Sequence, residues 1–550
     1  MNKMLCILLA ALFLLSSCGS PASAPESADK AGGQAAVPEV TAGPAPAADP
    51  APAAVLYPGD AGFRYEGDGF DTPEDAVLYY LAGLKNLNYE QMLRAFAWET
   101  LAAHYDFRAY LSYRRAYDPN STVPIIPFGE EPMLSANVEM LRGTEAACIY
   151  LSLAEFGNPA PFENRRTRVA IADEAEYDAY VNGFDPDRIA KLTEMGDVRF
   201  YTPDDITGGY FSKKAGEYYQ PYNAAFGADE VRDLAAVADI RDETIGIAPV
   251  AARYGDRWYL VSLRSLTYSY LPADQIYSSG FFAVTGKTAE RLQSCSPVRT
   301  APLPEAEYGG FRYEGDGFDT PEEAVACYLE GLKNRNVQQM MKAFAWETQS
   351  SRYSLRDYIP GMTSQVNLEY GVGLPSLNDL TQAANLVQLR NQQCRYINMA
   401  IRLYALDGEE LPVNMAMGRV PLMTDEDTDA FLNLFRNERM LKLGEISNIR
   451  TAVPEMLIPS YIQAKYIPEY LEKYRVVYGA DEIRDIAGIA DMGDETLFCN
   501  PLAARYGDRW YLVSLGGGSS LLYDGKWQQG FFTRKGTLED AMAEIWQIGK

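Results

Sequence analysis

A catalytic reading of this chain has few residues to stand on. His104 is the single histidine among 550 residues, so a Ser-His-Asp or Cys-His site would have to be built on it, and composition rules out a multi-histidine metal centre. Its surroundings read as the end of a helix, where exposed carbonyls favour a cationic ring. Two sets of acids, Glu66, Asp68, Asp71 and Glu314, Asp316, Asp319, offer the hard oxygen donors that calcium takes. They lack the ligand order and the distal glutamate of an EF-hand loop, so turn and cap duty is the expectation. Trp98, Trp258, Trp346 and Trp510 are the candidates for lining a pocket, although tryptophans among apolar residues in helices and strands more often fill core. The 38 tyrosines supply abundant hydroxyls, yet no Asp–Tyr pair stands out by spacing. This pattern assigns no catalytic, cofactor-binding or metal-binding residue, and no cofactor is expected.

Cysteine gives a clearer signal. Lys3 supplies a positive n-region and Met4–Leu15 an apolar stretch too short to span a bilayer. The stretch ends in Leu15-Ser16-Ser17-Cys18, which looks like a bacterial lipobox. That resemblance implies removal of residues 1–17 and diacylation of Cys18, with the membrane as a partner through its lipid and the extracytoplasmic face as the location. The other mature cysteines are Cys148, Cys295, Cys327, Cys394 and Cys499, an odd set without CxxC spacing, so buried free thiols are expected. A bridge from Cys394 to Cys499 or Cys327 is the alternative. Cys148 and Cys394 read as matching positions, 246 residues apart.

The elements that would position these residues come in duplicate. Phe63–Glu74 reads FRYEGDGFDTPE and Phe311–Glu322 repeats it letter for letter, 248 positions on. Ala95–Thr100 recurs as Ala343–Thr348, and Ala251–Leu263 (AARYGDRWYLVSL) as Ala503–Leu515. The organisation expected is a signal peptide at 1–17, an Ala/Pro-rich disordered tether at 18–56, a first repeat at 57–286, a linker at 287–307 and a second repeat at 308–550. A net charge of −26 argues against nucleic acid, which needs clustered Lys and Arg, and against adsorption to anionic lipid.

Within each repeat, Thr72-Pro73-Glu74-Asp75 and Thr320-Pro321-Glu322-Glu323 start a helix that runs to about Lys85 in the first copy. A second helix is expected over about Tyr89 to Ala103. The alternation of Ile397, Met399, Ile401 and Leu403 with polar neighbours predicts a strand, with Asp407-Gly408 turning into another through Asn414 and Met417; Cys148–Leu153 and Arg168–Ile171 are its first-copy equivalents. Acid-rich helices follow at about Asp173–Val181 and Thr424–Phe435. Val231–Ile240, Thr244–Ala252 and the strand after Tyr254-Gly255-Asp256-Arg257 read as an antiparallel meander, with Asp256 and Arg257 at a solvent-facing tip; Ile483–Met492, Thr496–Ala504 and Asp508-Arg509 repeat it. A capped helix over Thr537–Ile548 closes the chain.

Helices of the form TPEEAV-x-x-YL-x-GLKN-x-N, followed by strands and a GDRWYL hairpin, resemble the nuclear-transport-factor-two-like, or cystatin-like, α+β cone. The resemblance rests on Thr72–Asn88 with Gly255–Ser262, and on Thr320–Asn336 with Gly507–Ser514. Tandem forms are similar to bacterial lipoproteins of anaerobic Gram-positive organisms. It implies an α+β fold in two tandem repeats, each with N-terminal helices on a curved antiparallel sheet ending in a meander, plus a large central insertion. Cone-shaped relatives serve many functions. The expectation is a lipid-anchored, extracytoplasmic, non-enzymatic binding or scaffold protein that presents two related domains to a small ligand or a cell-envelope protein. The alternative is a small-molecule isomerase, lyase or hydrolase with a polar cone cavity.

Overall fold

The computed structural model describes residues 64–114, 116–117, 131–159, 168–171, 173–207, 222–263, 280–305, 311–361, 365–367, 373–406, 420–421, 424–435, 437–453, 467–516 and 530–541. The signal sequence, Cys18, the tether, the Asp407-Gly408 turn with the strand expected through Asn414 and Met417, and the terminal helix beyond Ala541 lie outside them. Among the described residues no helix is long and apolar enough to cross a membrane.

The fold is α+β. In the first copy, α1 (Pro73–Lys85) starts as its sequence dictates: Thr72 Oγ1 accepts from Asp75 N, and Pro73 takes the first turn, where no N–H is needed. Then come α2 (Tyr89–Leu93), α3 (Glu99–His104), α4 (Phe107–Arg114), β1 (Ala116–Tyr117), the 27-residue α5 (Glu131–Gly157), β2 (Arg168–Ala170), α6 (Glu174–Asn182) and β3 (Val198–Tyr201). The meander follows as β4 (Glu230–Asp233), β5 (Ala235–Ile240), β6 (Glu243–Ile247), β7 (Val250–Tyr254) and β8 (Arg257–Ser262), then β9 (Phe282–Ala283), α7 (Gly286–Leu292) and β10 (Arg299–Ala301). The second copy repeats the plan with α8 (Pro321–Lys333), α9 (Val337–Met341), α10 (Trp346–Arg352), α11 (Leu355–Gly361), β11 (Gln365–Asn367), the 27-residue α12 (Asp379–Ala405), β12 (Val420–Pro421), α13 (Asp425–Leu432) and β13 (Ile446–Ala452). It ends in β14 (Glu482–Asp485), β15 (Ala487–Met492), β16 (Glu495–Cys499), β17 (Leu502–Tyr506), β18 (Arg509–Ser514) and β19 (Phe532–Lys535).

Each long strand of the meander breaks once. Pro249 and Pro501 cannot donate to a ladder, and their carbonyls instead accept from Leu234 N at 2.9 Å and Ile486 N at 3.2 Å. The break divides each sheet into a three-stranded part, β4-β7-β8 or β14-β17-β18, and a larger part, β10-β3-β5-β6-β9 or β13-β15-β16-β19. Of the stretch expected as a linker, 287–307, residues 287–292 lie in α7 and 299–301 form an edge strand of the first sheet.

The three stretches that recur letter for letter are in contact with one another. Phe70 and Trp258 exchange backbone hydrogen bonds at 2.9 and 2.8 Å, while Leu260 N donates to Ala95 O and Ala97 N to Leu260 O, each at 3.0 Å. Phe318 with Trp510, and Leu512 with Ala343 and Ala345, do the same. This pairing ends the helix expected over Tyr89–Ala103: residues 95–97 leave α2 to run beside β8, and α3 starts afresh at Glu99.

The hairpin tips also differ from expectation. Gly255 and Gly507 do adopt positive φ, 64° and 65°, and Asp256 and Asp508 face solvent. Arg257 turns back, however, donating Nε to Asp68 O at 3.2 Å and pairing with Asp71 and Gly69 O; Arg509 does likewise with Asp316 O at 3.1 Å, Asp319 and Gly317 O. The tip arginine locks the duplicated turn onto the sheet.

The strand expected through Ile397–Leu403 is helix, as is its equivalent at Cys148–Leu153. Ile397, Ile401 and Tyr404 are buried at helical spacing on α12, and Asn398 and Arg402, polar in the alternating pattern, are buried as well. Alternation was a coincidence of a helix buried nearly all round. Arg168–Ala170 is a strand, as expected, and the acid-rich helices start at the caps Asp173 and Thr424.

Candidate functional site

The central segments, which set each repeat apart from a simple cone, hold the two copies together. α5 and α12 cross antiparallel, and a register of 248 pairs Asn137 with Asn385, Arg142 with Arg390, Gly143 with Asn391 and Glu145 with Gln393. The crossing falls on the equivalent residues Gly143 and Asn391, where Asn391 Nδ2 donates to Gly143 O at 3.1 Å. Short strands are exchanged reciprocally: β1 pairs with β12 of the other copy, and β11 with β2. Ion pairs repeat the symmetry, Arg108 with Asp429 and Arg356 with Asp178 at 2.6 Å. A pseudo-twofold axis therefore passes between Gly143 and Asn391.

Around that axis lies a buried polar seam. Arg390 Nη2 meets Glu139 Oε1 at 2.6 Å, with both side chains at most 3% exposed. Tyr65 Oη donates to Glu139 Oε1 at 2.6 Å or Gln338 Oε1 at 2.7 Å and accepts from Arg390 at 2.8 Å; Gln338 Nε2 donates to Glu139 at 2.8 Å. In the other half, Arg142 Nη2 pairs with Glu90 Oε2 at 2.6 Å, and Tyr313 Oη contacts both Arg142 and Glu90. The halves match residue for residue at 248, Tyr65 to Tyr313, Glu90 to Gln338 and Arg142 to Arg390, except in where the carboxylate originates. Gln338 stands where the first copy has Glu90, and the missing charge comes from Glu139, whose own counterpart is Val387. Two arginines thus face two carboxylates, and the seam is neutral.

Its energetics follow from burial. Burial alone would push the Glu139 carboxyl up; Arg390, Arg142 and the hydrogen bonds from Arg390 and Tyr65 overcome it and hold the group at about 2. Tyr65 and Cys394 are raised, chiefly by burial. Guanidinium nitrogens without a hydrogen-bond partner among the described residues, Arg142 Nε and Arg390 Nε and Nη1, belong to planes set against aromatic faces. Arg142 lies 4.5 Å from the Tyr65 ring centroid, and Arg390 lies 4.8 Å from that of Tyr313 and 5.6 Å from that of Trp346.

A second carboxylate arrangement ties the duplicated turn to α3 and α10. Glu66 accepts from Thr100 N at 2.8 Å while Glu99 accepts from Tyr65 N at 2.7 Å; Glu314 with Thr348 N at 2.8 Å and Glu347 with Tyr313 N at 2.6 Å repeat it. Each clamp positions the backbone of the tyrosine that enters the seam. Burial and the adjacent Glu314 push Glu347 up to about 7.

The residues singled out from sequence lie elsewhere. Trp98 and Trp346 are sealed in the core, each stacked on a phenylalanine, with indole N–H groups donated to Leu93 O and Met341 O at 2.7 and 2.8 Å. Trp258 and Trp510, each 5% exposed, lie on the three-stranded sheets under Arg232 and Arg253, and under Arg484 and Arg505. The four do not converge on one site. His104 caps Thr100 O through Nδ1 and lies 5.2 Å from the Tyr254 ring, a place that Arg352 takes over Tyr506 in the second copy. Among the described residues Cys148, Cys295, Cys327, Cys394 and Cys499 are not in disulfides, so neither a Cys394–Cys499 nor a Cys327–Cys394 bridge forms. In the register of the long helices Cys394 matches Ala146, so Cys148 and Cys394 are not equivalents. Glu66 and Asp71 are taken up by the clamp and by Arg257.

The tyrosine–carboxylate pairs of the seam were missed because each joins residues far apart in sequence, 74 positions for Tyr65 and Glu139 and 223 for Tyr313 and Glu90. A signal was present: Ala136-Asn137 and Leu141-Arg142 recur as Ala384-Asn385 and Leu389-Arg390 in the same 248 register as the opening stretch.

No family model matches this chain, and no curated protein does. Among solved structures the chain is similar to a cystatin-like protein from Ruminococcus gnavus ATCC 29149, with 13% identity and a TM-score of 0.47 over 86% of this chain and 94% of that one.

Proposed function

We propose that this is a lipid-anchored, extracytoplasmic, non-enzymatic protein whose two repeats form one scaffold presented to an envelope partner or small ligand. The observation that supports it best is what the letter-identical stretch does in both copies. Tyr65 and Tyr313 enter the seam, Glu66 and Glu314 form the clamps, Asp71 and Asp319 receive the tip arginines, and Thr72 and Thr320 cap the first helices. Duplication has preserved the parts that build and join a scaffold.

The alternative, an acid–base enzyme, draws on the two tyrosine–carboxylate pairs, Tyr65 with Glu139 and Tyr313 with Glu90. Each is completed by an arginine and lies between the copies, not inside either cone. A general base held at about 2, as Glu139 is, has little driving force to take a proton near neutrality, so this reading is the weaker one.

The anchoring part is tested by Cys18→Ser, expressed in a bacterium with lipoprotein processing. The variant is expected in the soluble extracytoplasmic fraction, and the unaltered chain in the membrane fraction. Wild-type protein without an acyl group on Cys18 would overturn it.

A further inference from the structure

The internal symmetry exposes a further place where the copies differ, at the edge of the larger sheets. In the first copy the edge of β3 is covered by β10: Arg299 pairs with Phe200, Thr300 with Arg199 and Ala301 with Val198, and Val298 N donates to Phe200 O at 2.8 Å. Arg299 then reaches the start of α1, meeting Asp75 Oδ1 at 2.8 Å and Thr72 Oγ1 at 3.3 Å.

β13 is the same edge in the second copy. Phe200 pairs with Ala236 and Thr451 with Gly488; Ala236 and Gly488 are 252 positions apart, as in the identical terminal stretches, and Phe200 and Thr451 are 251 apart. Arg199 bonds Asp239 across the first sheet, and Arg450 bonds Asp491 in the same place in the second. Yet among the described residues β13 is the terminal strand of its sheet, and no strand pairs with its outer edge. A register shift between Ser447 and Arg450, where Asn448 has a φ of 49°, blunts the first half of this edge and leaves Arg450–Val453 as a short extended stretch. Val453 at its end is 48% exposed. The acids at the start of α8, Glu322 and Glu323, are exposed and have no described counterpart of Arg299.

We propose that the β13 edge of the second repeat is a docking site for an extended segment of another polypeptide, added as an antiparallel strand and carrying an Arg or Lys that reaches the start of α8. The four-residue stretch supplies backbone pairing, and the acidic helix start supplies charge preference. A chain with a net charge of −26 favours a basic partner strand over another copy of itself, and this chain's own strand of that pattern, β10, already lies in its own sheet. The site does not depend on lipid anchoring.

The probe is a fluorescein-labelled peptide with the sequence of residues 296–303, Ser-Pro-Val-Arg-Thr-Ala-Pro-Leu, titrated with the full chain and followed by fluorescence anisotropy. Saturable binding is expected. It should weaken at least tenfold when the peptide arginine is replaced by glutamate, a change that leaves the protein untouched. It should weaken similarly in Thr451→Pro, because Thr451 holds the register position of Phe200, whose carbonyl and N–H face the outer edge, so that only an outward N–H is lost, and circular dichroism should be unchanged. Absence of saturable binding, or equal binding by Thr451→Pro or by the glutamate peptide, overturns the proposal. So does binding that emerges only after removal of residues 542–550, which would make the chain's own end the occupant. Self-association abolished by Thr451→Pro would make it a second copy and would overturn the proposal equally.

Discussion

Asn391 Nδ2 donates to the carbonyl of Gly143, its own counterpart in the other copy, at 3.1 Å. The long helices approach closely at this point because one of the two equivalent residues has no side chain. A Cβ on Gly143 would run into Asn391 Oδ1 and stand 2.5 Å from its Cγ.

Gly143→Ala is therefore expected to destabilise the full chain by about 1–3 kcal/mol, the usual cost of overpacking a closed contact, even though alanine is the better helix former. Adding Asn391→Gly should recover much of the loss by moving the free space to the other helix. Chemical denaturation of the two variants measures this; equal stability of wild type and Gly143→Ala would mean that the helices do not cross there.

The seam makes a sharper prediction. Glu139→Val leaves Arg390 buried without its carboxylate and is expected to cost about 3–5 kcal/mol. Gln338→Glu in the same chain returns a carboxylate to the position the first copy uses, within reach of Arg390, since Gln338 Oε1 already lies 3.2 Å from Arg390 Nη2. The double variant should be markedly more stable than Glu139→Val alone. If Gln338→Glu fails to rescue, the two halves are not interchangeable solutions to one charge problem.

Glu347 gives the chain an unusual pH response. In the folded state its carboxyl, facing Glu314 with Arg312 nearby, holds its proton up to about 7, whereas the ordinary value is 4.5. The folded form binds more protons than the unfolded one in that window, so stability from this group falls as pH rises from about 4.5 to 7 and is level above. Glu139 acts oppositely: held at about 2, it contributes stability above its ordinary 4.5 that is lost as pH falls toward 2. Relative to Glu347→Gln, the wild type should lose on the order of 2 kcal/mol between pH 5 and 7.5. A difference that is constant with pH would show that Glu347 ionises normally.

At the hairpin tip, nothing lies within 4 Å of a Cβ placed on Gly507, so a substitution there meets only backbone strain at φ 65°. Gly507→Val should lower the stability of the full chain by about 1–2 kcal/mol, while Asp508→Asn, at an exposed position, changes it little. Thermal melts of both variants decide it; matching shifts would mean that strain at this glycine does not govern the turn.

What the sequence determined by itself was local or repeated. Thr72-Pro73 and Thr320-Pro321 set helix starts because a cap and a missing N–H act within one turn. Gly255 and Gly507 set the hairpins because positive φ is a property of the residue. The 248 register carried the duplication, and even the Ala-Asn and Leu-Arg pairs of the long helices were legible in it. The tertiary structure decided the rest. Ile397–Leu403 alternates like a strand but is helix, because α12 is buried against α5 and polar positions such as Asn398 and Arg402 are enclosed with the apolar ones. Residues 95–97 leave a helical run because Leu260 offers backbone partners. Glu139 reads in the chain as one more acid; it becomes the counter-charge of Arg390, 251 positions away, only because the crossing at Gly143 and Asn391 brings both out of water, where an unpaired charge is costly.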